Sequence, residues 1–319
     1  MTGPAVDPAL DPALGVGTSS APARTATAVA ALREPVDRLV DSSRRTFQNP
    51  YETRAWPATI DPERDWFFTP ELSSLYGTGH WDRLDEAGRR RVAFHEALNF
   101  FSLNIHGERE LMRGLALRLY RPDLAAVAPY LHHFIDEENK HSYYFGGFCQ
   151  RYGHLYPSRQ LATEVEGGAG ADPDADLRFF AKVLVFEEIV DRINLVQARD
   201  ERLHPLARFI NRNHHAEEVR HLAFGRRLVE ALWEAHAPAW SDRQVADLRR
   251  YLGQFYVMTW REHYNPDAYR DAGLDDPWEV AEQAWAAEAQ RTRRRELSAR
   301  SARFLLDCGL LTEEPHAAY

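Results

Sequence analysis

Glutamate and histidine recur in this chain in a repeated order: Glu108, then Glu138 with His141, then Glu187, then Glu218 with His221. Each lone Glu precedes its Glu-x-x-His partner by nearly the same distance, 30 residues in the first half and 31 in the second. On a helix that turns about 100° per residue, positions i and i+3 share a face, so each Glu-x-x-His can offer an oxygen and a nitrogen to one ion. A two-metal site in a four-helix bundle needs one Glu from each of two helices and a Glu-x-x-His from each of the other two. One Glu-x-x-His alone is a weak signal, because surface helices produce it by chance. Two copies, each preceded by a Glu at matched spacing, point to a carboxylate cage for a pair of cations.

The surroundings of these residues agree. Glu187 follows Val183, Leu184, Val185 and Phe186, and Glu138 follows Phe134 and Ile135. Carboxylates that enter an apolar core are costly unless paired or bound to metal. His214 lies four residues before Glu218 and seven before His221, about 40° and 20° away around the helix, and so joins their face; His215 does not. The candidate ligands are thus Glu108, Glu138, His141, Glu187, His214, Glu218 and His221. Four carboxylates balance two divalent ions, which lets the pair sit in a low-dielectric core with little net charge. Mixed oxygen and nitrogen donors suit iron or manganese, and the absence of Cys from the motifs disfavours a thiolate zinc site. Two iron ions with dioxygen as co-substrate are the first choice, manganese the second. Glu188 stands as an alternative to Glu187, Glu110 to Glu108, and Glu137 to Glu138, although Glu137 would lose the i, i+3 pairing with His141. Asp136 and Asp191 are read as groups behind the ligands that orient imidazoles or face a substrate. Tyr143 and Tyr144 are read as core or interface residues in preference to redox-active phenols.

Helices must position these groups. Helical patterns run over 85–120, 122–152, 176–199 and 205–235, each carrying one element of the series, and the bundle is expected over about 85–235. Counting 1.5 Å per residue from the Arg121-Pro122-Asp123 break and from the turn ending at Pro205 places partner carboxylates at similar depths. Pro129 interrupts the second pattern and makes the depth there good to about one turn. Residues 154–175 contain Pro157, Gly167, Gly168, Gly170 and Pro173 and are long for a connection, which suits the single crossover of a ferritin-like bundle. An outer helix is expected over 29–47, irregular covering structure over 49–79, and two further helices over 241–262 and 277–306. With no alternating strand pattern, the class is all-α: a ferritin-like four-helix bundle with additional N- and C-terminal helices in a single domain over 28–319. Residues 1–27 are rich in Ala, Pro, Gly, Ser and Thr and are expected to form a mobile tail.

Composition narrows the function classes. The chain has 319 residues, 44% of them hydrophobic, which suffices for a sizeable core. A formal charge of −9 argues against a nucleic-acid partner. The cluster of Arg291, Arg293, Arg294 and Arg295 is flanked by Glu288 and Glu296 and reads as a solvated helix face. Two cysteines, Cys149 and Cys308, make no disulfide framework and fit a reduced, cytoplasmic setting. No apolar stretch is long enough to span a membrane, and no signal peptide is evident. A homodimer is compatible with the aromatic-rich outer segments.

The segments HGERELM around Glu108, IDEENKHSYY around Glu138 and His141, FEEIVDRINLVQARD around Glu187, and HHAEEVRH around His214, Glu218 and His221 resemble the diiron arylamine N-oxygenase family. The match spans about residues 90–225, and its specific part is the additional His four residues before the last Glu. The separation of Glu187 from His214 is also similar to the family's and favours Glu187 over Glu188. The resemblance implies a non-haem diiron oxygenase that oxidises an amine nitrogen of a small molecule to hydroxylamine, nitroso or nitro through a peroxo intermediate, with electrons from an external reductase. Where the family's p-aminobenzoate enzyme presents an amide on the third helix, this chain has Asp191, which would repel a carboxylate, so a neutral or cationic amine is expected. Two other readings stay open: a diiron C–H hydroxylase or desaturase, and a ferritin-like iron-binding protein without an organic substrate.

Overall fold

The computed structural model describes residues 20–52, 56–159 and 173–315. Among these residues the chain is all-α, with only an isolated bridge between Trp66 and Leu203. Helices α1 (Ala21–Ala30) and α2 (Arg33–Arg45) are followed by a short α3 (Gly79–Arg83) and then by the bundle helices α4 (Glu86–Ala116), α5 (Ala128–Tyr152), α6 (Pro173–Arg199) and α7 (Pro205–His236). Helices α8 (Asp242–Arg261), α9 (Pro266–Asp271), α10 (Pro277–Ala286) and α11 (Glu288–Asp307) complete the fold.

Local chemistry explains where the bundle helices begin. The Asp85 side chain accepts from the Gly88 amide at 2.7 Å and caps α4. Pro129 and Pro205 stand in the first turns of α5 and α7, where a missing N–H costs nothing. Pro129 therefore starts α5 instead of interrupting a helix begun at Pro122, which belongs to a separate 3-10 turn.

Paired contacts fix the directions. Glu108 meets Ser142 while Leu98 meets Cys149, so α4 and α5 are antiparallel. Asp191 meets His215 while Gln197 meets Asn211, so α6 and α7 are antiparallel. His141 meets Glu217 while Glu137 meets Arg220, so α5 and α7 are antiparallel too. Helices α5 and α6 consequently run the same way, and the connection between them must return along the bundle. Most of that connection, residues 160–172, lies outside the described residues.

The core is rich in aromatic rings. Phe101 and Phe145 stack at 5.0 Å, and Phe67, Phe94 and Phe148 pack beside them, all buried. Helix α4 is buried nearly all round from Val92 to Ile105, because the 66–75 segment and α9 cover its outer side. At Gly114 the Phe179 ring comes so near that an added Cβ would lie 2.1 Å from Cε2. Arg118 and Asp176, both buried, pair at 2.9 Å and tie the end of α4 to the start of α6.

Three expectations change. Residues 21–27 do not belong to a tail: they lie in α1, where Thr25 is buried and its hydroxyl is 2.9 Å from His236 Nε2. The low apolar content misled here, because α1 is held by two buried residues and a polar contact. Residues 1–19 lie outside the described residues. The outer helix expected over 29–47 is two helices, and that expected over 277–306 breaks at Ala287, whose ψ of 134° is extended.

Candidate metal centre

Four helices bring the repeated residues together in the middle of the bundle. Ligand-type atoms of Glu138, His141, Glu218 and His221 lie within 4.8 Å of one another, as do those of Glu108, His141 and His214. His141 belongs to both groups, so the two clusters adjoin. Glu187 lies outside both tight groups, but it lines the same cavity and its carboxyl interacts with those of Glu218 and Glu138. Each of the seven residues is at least 94% buried.

The imidazoles are held from behind. His141 Nε2 is 3.0 Å from Glu217 Oε2, while its Nδ1 faces Glu138. His221 Nε2 is 2.8 Å from Glu137 Oε2, while its Nδ1 lies 2.8 Å from Glu138 and 3.2 Å from Glu218. His214 Nδ1 is 2.7 Å from the Asn194 amide, while its Nε2 faces Glu218 and Glu108. Asn194 Oδ1 lacks a partner as placed. With the amide oriented so that Oδ1 accepts Nδ1–H, the His214 Nε2 lone pair is directed inward. Each ring then has one nitrogen fixed by its backing group and one aimed at the carboxylates, the arrangement of a metal-binding histidine.

The polar inventory asks for positive charge. Glu108 Oε1, Glu187 Oε1, Glu218 Oε1 and His141 Nδ1 are buried without a hydrogen-bond partner. Burial and the neighbouring Glu138 raise Glu108 well above the ordinary carboxylate range; burial, Glu218 and Glu138 do the same for Glu187; burial raises Glu218. Burial also acts to raise Glu138, but His141 and His221 outweigh it and hold its pKa low. His141, against the cost of its own burial, is pushed up to about 10 by Glu138 and Glu217. Protons are favoured where cations would sit, so the residues fit a pair of metal ions.

Neighbouring acids sort themselves by their partners. Glu188 turns to Arg226, whose Nε is 2.6 Å away, so Glu187 is the acid of that pair that faces the centre. Glu110 pairs with Arg113 at 3.3 Å, near solvent. Asp136 does not stand behind an imidazole: its side chain is half-exposed and lies 3.6 Å from Lys140. Asp191 is buried, but its Oδ1 is 2.5 Å from His215 Nδ1 and it does not line the cavity, so it orients an imidazole outside the cage and repels nothing inside it. Sequence reasoning missed Glu217 and Asn194 and placed Glu137 only as an alternative ligand. A signal for two of these was present: both motifs read Glu-Glu-x-(Lys or Arg)-His, and the first Glu of each supports the other motif's His.

A cavity of about 470 Å³ opens onto this centre between α4, α6 and α8. Its floor includes Glu108, Glu138, Glu187, Glu218 and His214; its walls are mainly apolar, with Phe179, Val183, Phe186, Val190, Phe255 and Met258. Arg109 and Lys182 also line it.

A ferritin-like bundle with a two-metal carboxylate cage at the end of an apolar cavity is the class of protein that the fold and site define. A model of the p-aminobenzoate N-oxygenase AurF family matches residues 30–309, and the chain belongs to that family of oxygenases. No curated protein matches. Among solved structures, an R2-like ligand-binding oxidase variant with an aerobically reconstituted Mn/Fe cofactor is 16% identical, covers 87% of this chain and 93% of its own, and has a TM-score of 0.49. An R2-like ligand-binding oxidase from Sulfolobus acidocaldarius is 15% identical, covers 96% and 97%, and has a TM-score of 0.47. No helix among the described residues is long and apolar enough to cross a membrane.

Proposed function

We propose that the protein N-oxygenates a small neutral arylamine, using dioxygen, two iron ions held by Glu108, Glu138, His141, Glu187, His214, Glu218 and His221, and electrons from an external reductase. The observation that carries this reading is the apolar cavity ending on the carboxylate cage. When bound, the metal pair supplies oxygen activation, a chemistry the side chains lack. In the first oxidation the amine gains one oxygen atom, and the other leaves as water with two electrons and two protons.

The chain's own residues set which amine can react. Aromatic walls from Phe179, Phe186 and Phe255 suit a flat ring and exclude water around it. An alkylamine, charged near neutral pH as lysine is, would have to bury an ammonium among these walls, at a cost of several kcal/mol. An arylamine enters neutral with its nitrogen lone pair available. Arg109, Glu110 and Lys182 line the cavity together and Asp191 does not line it, so the expectation of a cationic amine drawn from Asp191 is withdrawn. Ser142 donates to Glu108 Oε2 at 2.5 Å and fixes that carboxylate's orientation.

The test is single-turnover oxidation of an arylamine panel by the iron-loaded, reduced protein under labelled dioxygen, read by mass spectrometry. Label on nitrogen supports the reading; label on ring or alkyl carbon contradicts it and favours C–H hydroxylation.

A further inference from the structure

We propose that the face formed by the end of α2 and the outer sides of α5 and α7 docks an acidic electron-transfer protein, with Arg44, Phe47 and Lys140 at its centre. The inference rests on the reading that the site holds a reducible metal pair. The substrate cavity opens between α4, α6 and α8, so a seated substrate closes that approach. The α2 face lies against α5 and α7 instead. There a second, smaller cavity of about 260 Å³ is lined by Ser43, Arg44, Phe47, His133, Asp136, Glu137 and Lys140.

Its floor reaches the groups that hold the metal-facing imidazoles. Glu137 supports His221, and Lys140 Nζ lies 2.6 Å from Glu217, which supports His141. A continuous contact path therefore leads from the surface to the centre: Phe47 ring to Lys140 Nζ at 5.1 Å, Lys140 to Glu217 at 2.6 Å, Glu217 to His141 at 3.0 Å. Phe47 is 57% exposed, and Tyr51, set edge-on to Tyr143 at 5.0 Å, is 67% exposed. Large exposed aromatics rimmed by charge are what interface centres are made of.

Charge selects the partner. Arg44 and Arg45 are exposed and make no ion pair with the described residues; Asp136 and Glu137 line the cavity, and the buried Lys140 and Arg220 beneath are paired with Glu217 and Glu137, so the exposed positive charge here is that of the two arginines. On a chain of formal charge −9 these two exposed, unpaired arginines steer an acidic partner to one place. A one-electron carrier would deliver one electron per encounter, so two encounters would supply the two electrons that an iron pair held by these residues would need.

An acidic [2Fe–2S] ferredoxin is the probe, in two arms that use neither amine nor dioxygen, so that their failure is separable from failure of the N-oxygenation reading. In the first, binding of the oxidised ferredoxin to the metal-free protein is measured by calorimetry. In the double variant Arg44→Glu, Phe47→Ala the dissociation constant should rise at least about tenfold and its salt dependence should flatten. In the second, the reduced ferredoxin reduces the iron-loaded protein, and its rate constant should fall by a similar factor while reduction by dithionite is unchanged. The proposal is overturned if binding and rate are the same in wild type and variant. Tighter binding of wild type to a basic redox protein than to the acidic one overturns it as well, as does an equal loss with dithionite.

Discussion

Glu137 Oε2 lies 2.8 Å from His221 Nε2, so the first acid of one Glu-Glu-x-x-His motif fixes the imidazole of the other, and Glu217 returns the favour to His141 at 3.0 Å. The basic residue of each motif follows the same exchange: Arg220 pairs with Glu137 and Lys140 with Glu217, both at 2.6 Å. The two halves of the site are thus locked to each other before any metal enters.

Glu217→Ala tests that lock with little structural damage, because Lys140 keeps Asp136 nearby. Metal affinity should fall about 10- to 100-fold as the His141 ring loses its orientation. Competition against a chromogenic chelator measures this, and an unchanged affinity would remove Glu217 from the centre's support. Glu137→Ala is the poorer probe, since it strands buried Arg220.

His214→Ala should give a folded protein with an impaired centre. His214 contributes no backbone capping and meets Asn194, which can rearrange. Circular dichroism should match wild type while turnover is lost. Full turnover would reduce His214 to a packing residue.

Gly114→Ala should destabilise the bundle. Its Cβ would enter the Phe179 ring, which is itself held under the Arg118 guanidinium at 4.0 Å. Overpacking of this kind costs about 1–3 kcal/mol. Urea denaturation of the metal-free protein reads the cost, and a midpoint equal to wild type would mean that the helices separate freely at this crossing.

Glu96 sets a pH dependence away from the metal site. Burial raises its pKa from 4.5 to about 7, against the lowering hydrogen bonds from Ser74. The folded state therefore holds this proton more tightly than the unfolded chain. The associated stability is fully present below pH 4.5 and is lost as pH rises through about 7. Glu96→Gln should flatten the fall in thermal midpoint across that window. An identical pH profile in the variant would show that another group carries it.

Much of the centre was legible because helix periodicity places i, i+3 and i+7 residues on one face whatever the rest of the fold does. Glu108, Glu138, His141, Glu187, His214, Glu218 and His221 converge as their spacing implies. The choice between Glu187 and Glu188 depended on where Arg226 lies, a contact 38 residues away. Asn194 was hidden for the same reason: its meaning comes from His214 on the facing helix. Asp136, two residues before Glu138, lies about 160° around the helix from it, whereas Asp191 stays within about 40° of Glu187 and is taken up by His215 on the facing helix, a contact its own helix does not announce. The break at Ala287 carries no Gly or Pro, so nothing in the local pattern distinguishes it from continuous helix.

The central claim is that these seven residues hold two ions. Anaerobic ferrous titration of the metal-free protein, followed by metal analysis after removal of unbound iron, tests it most directly. The account predicts saturation at two irons per chain, with a higher thermal midpoint in the loaded protein. Saturation at one iron, or none retained, would contradict it.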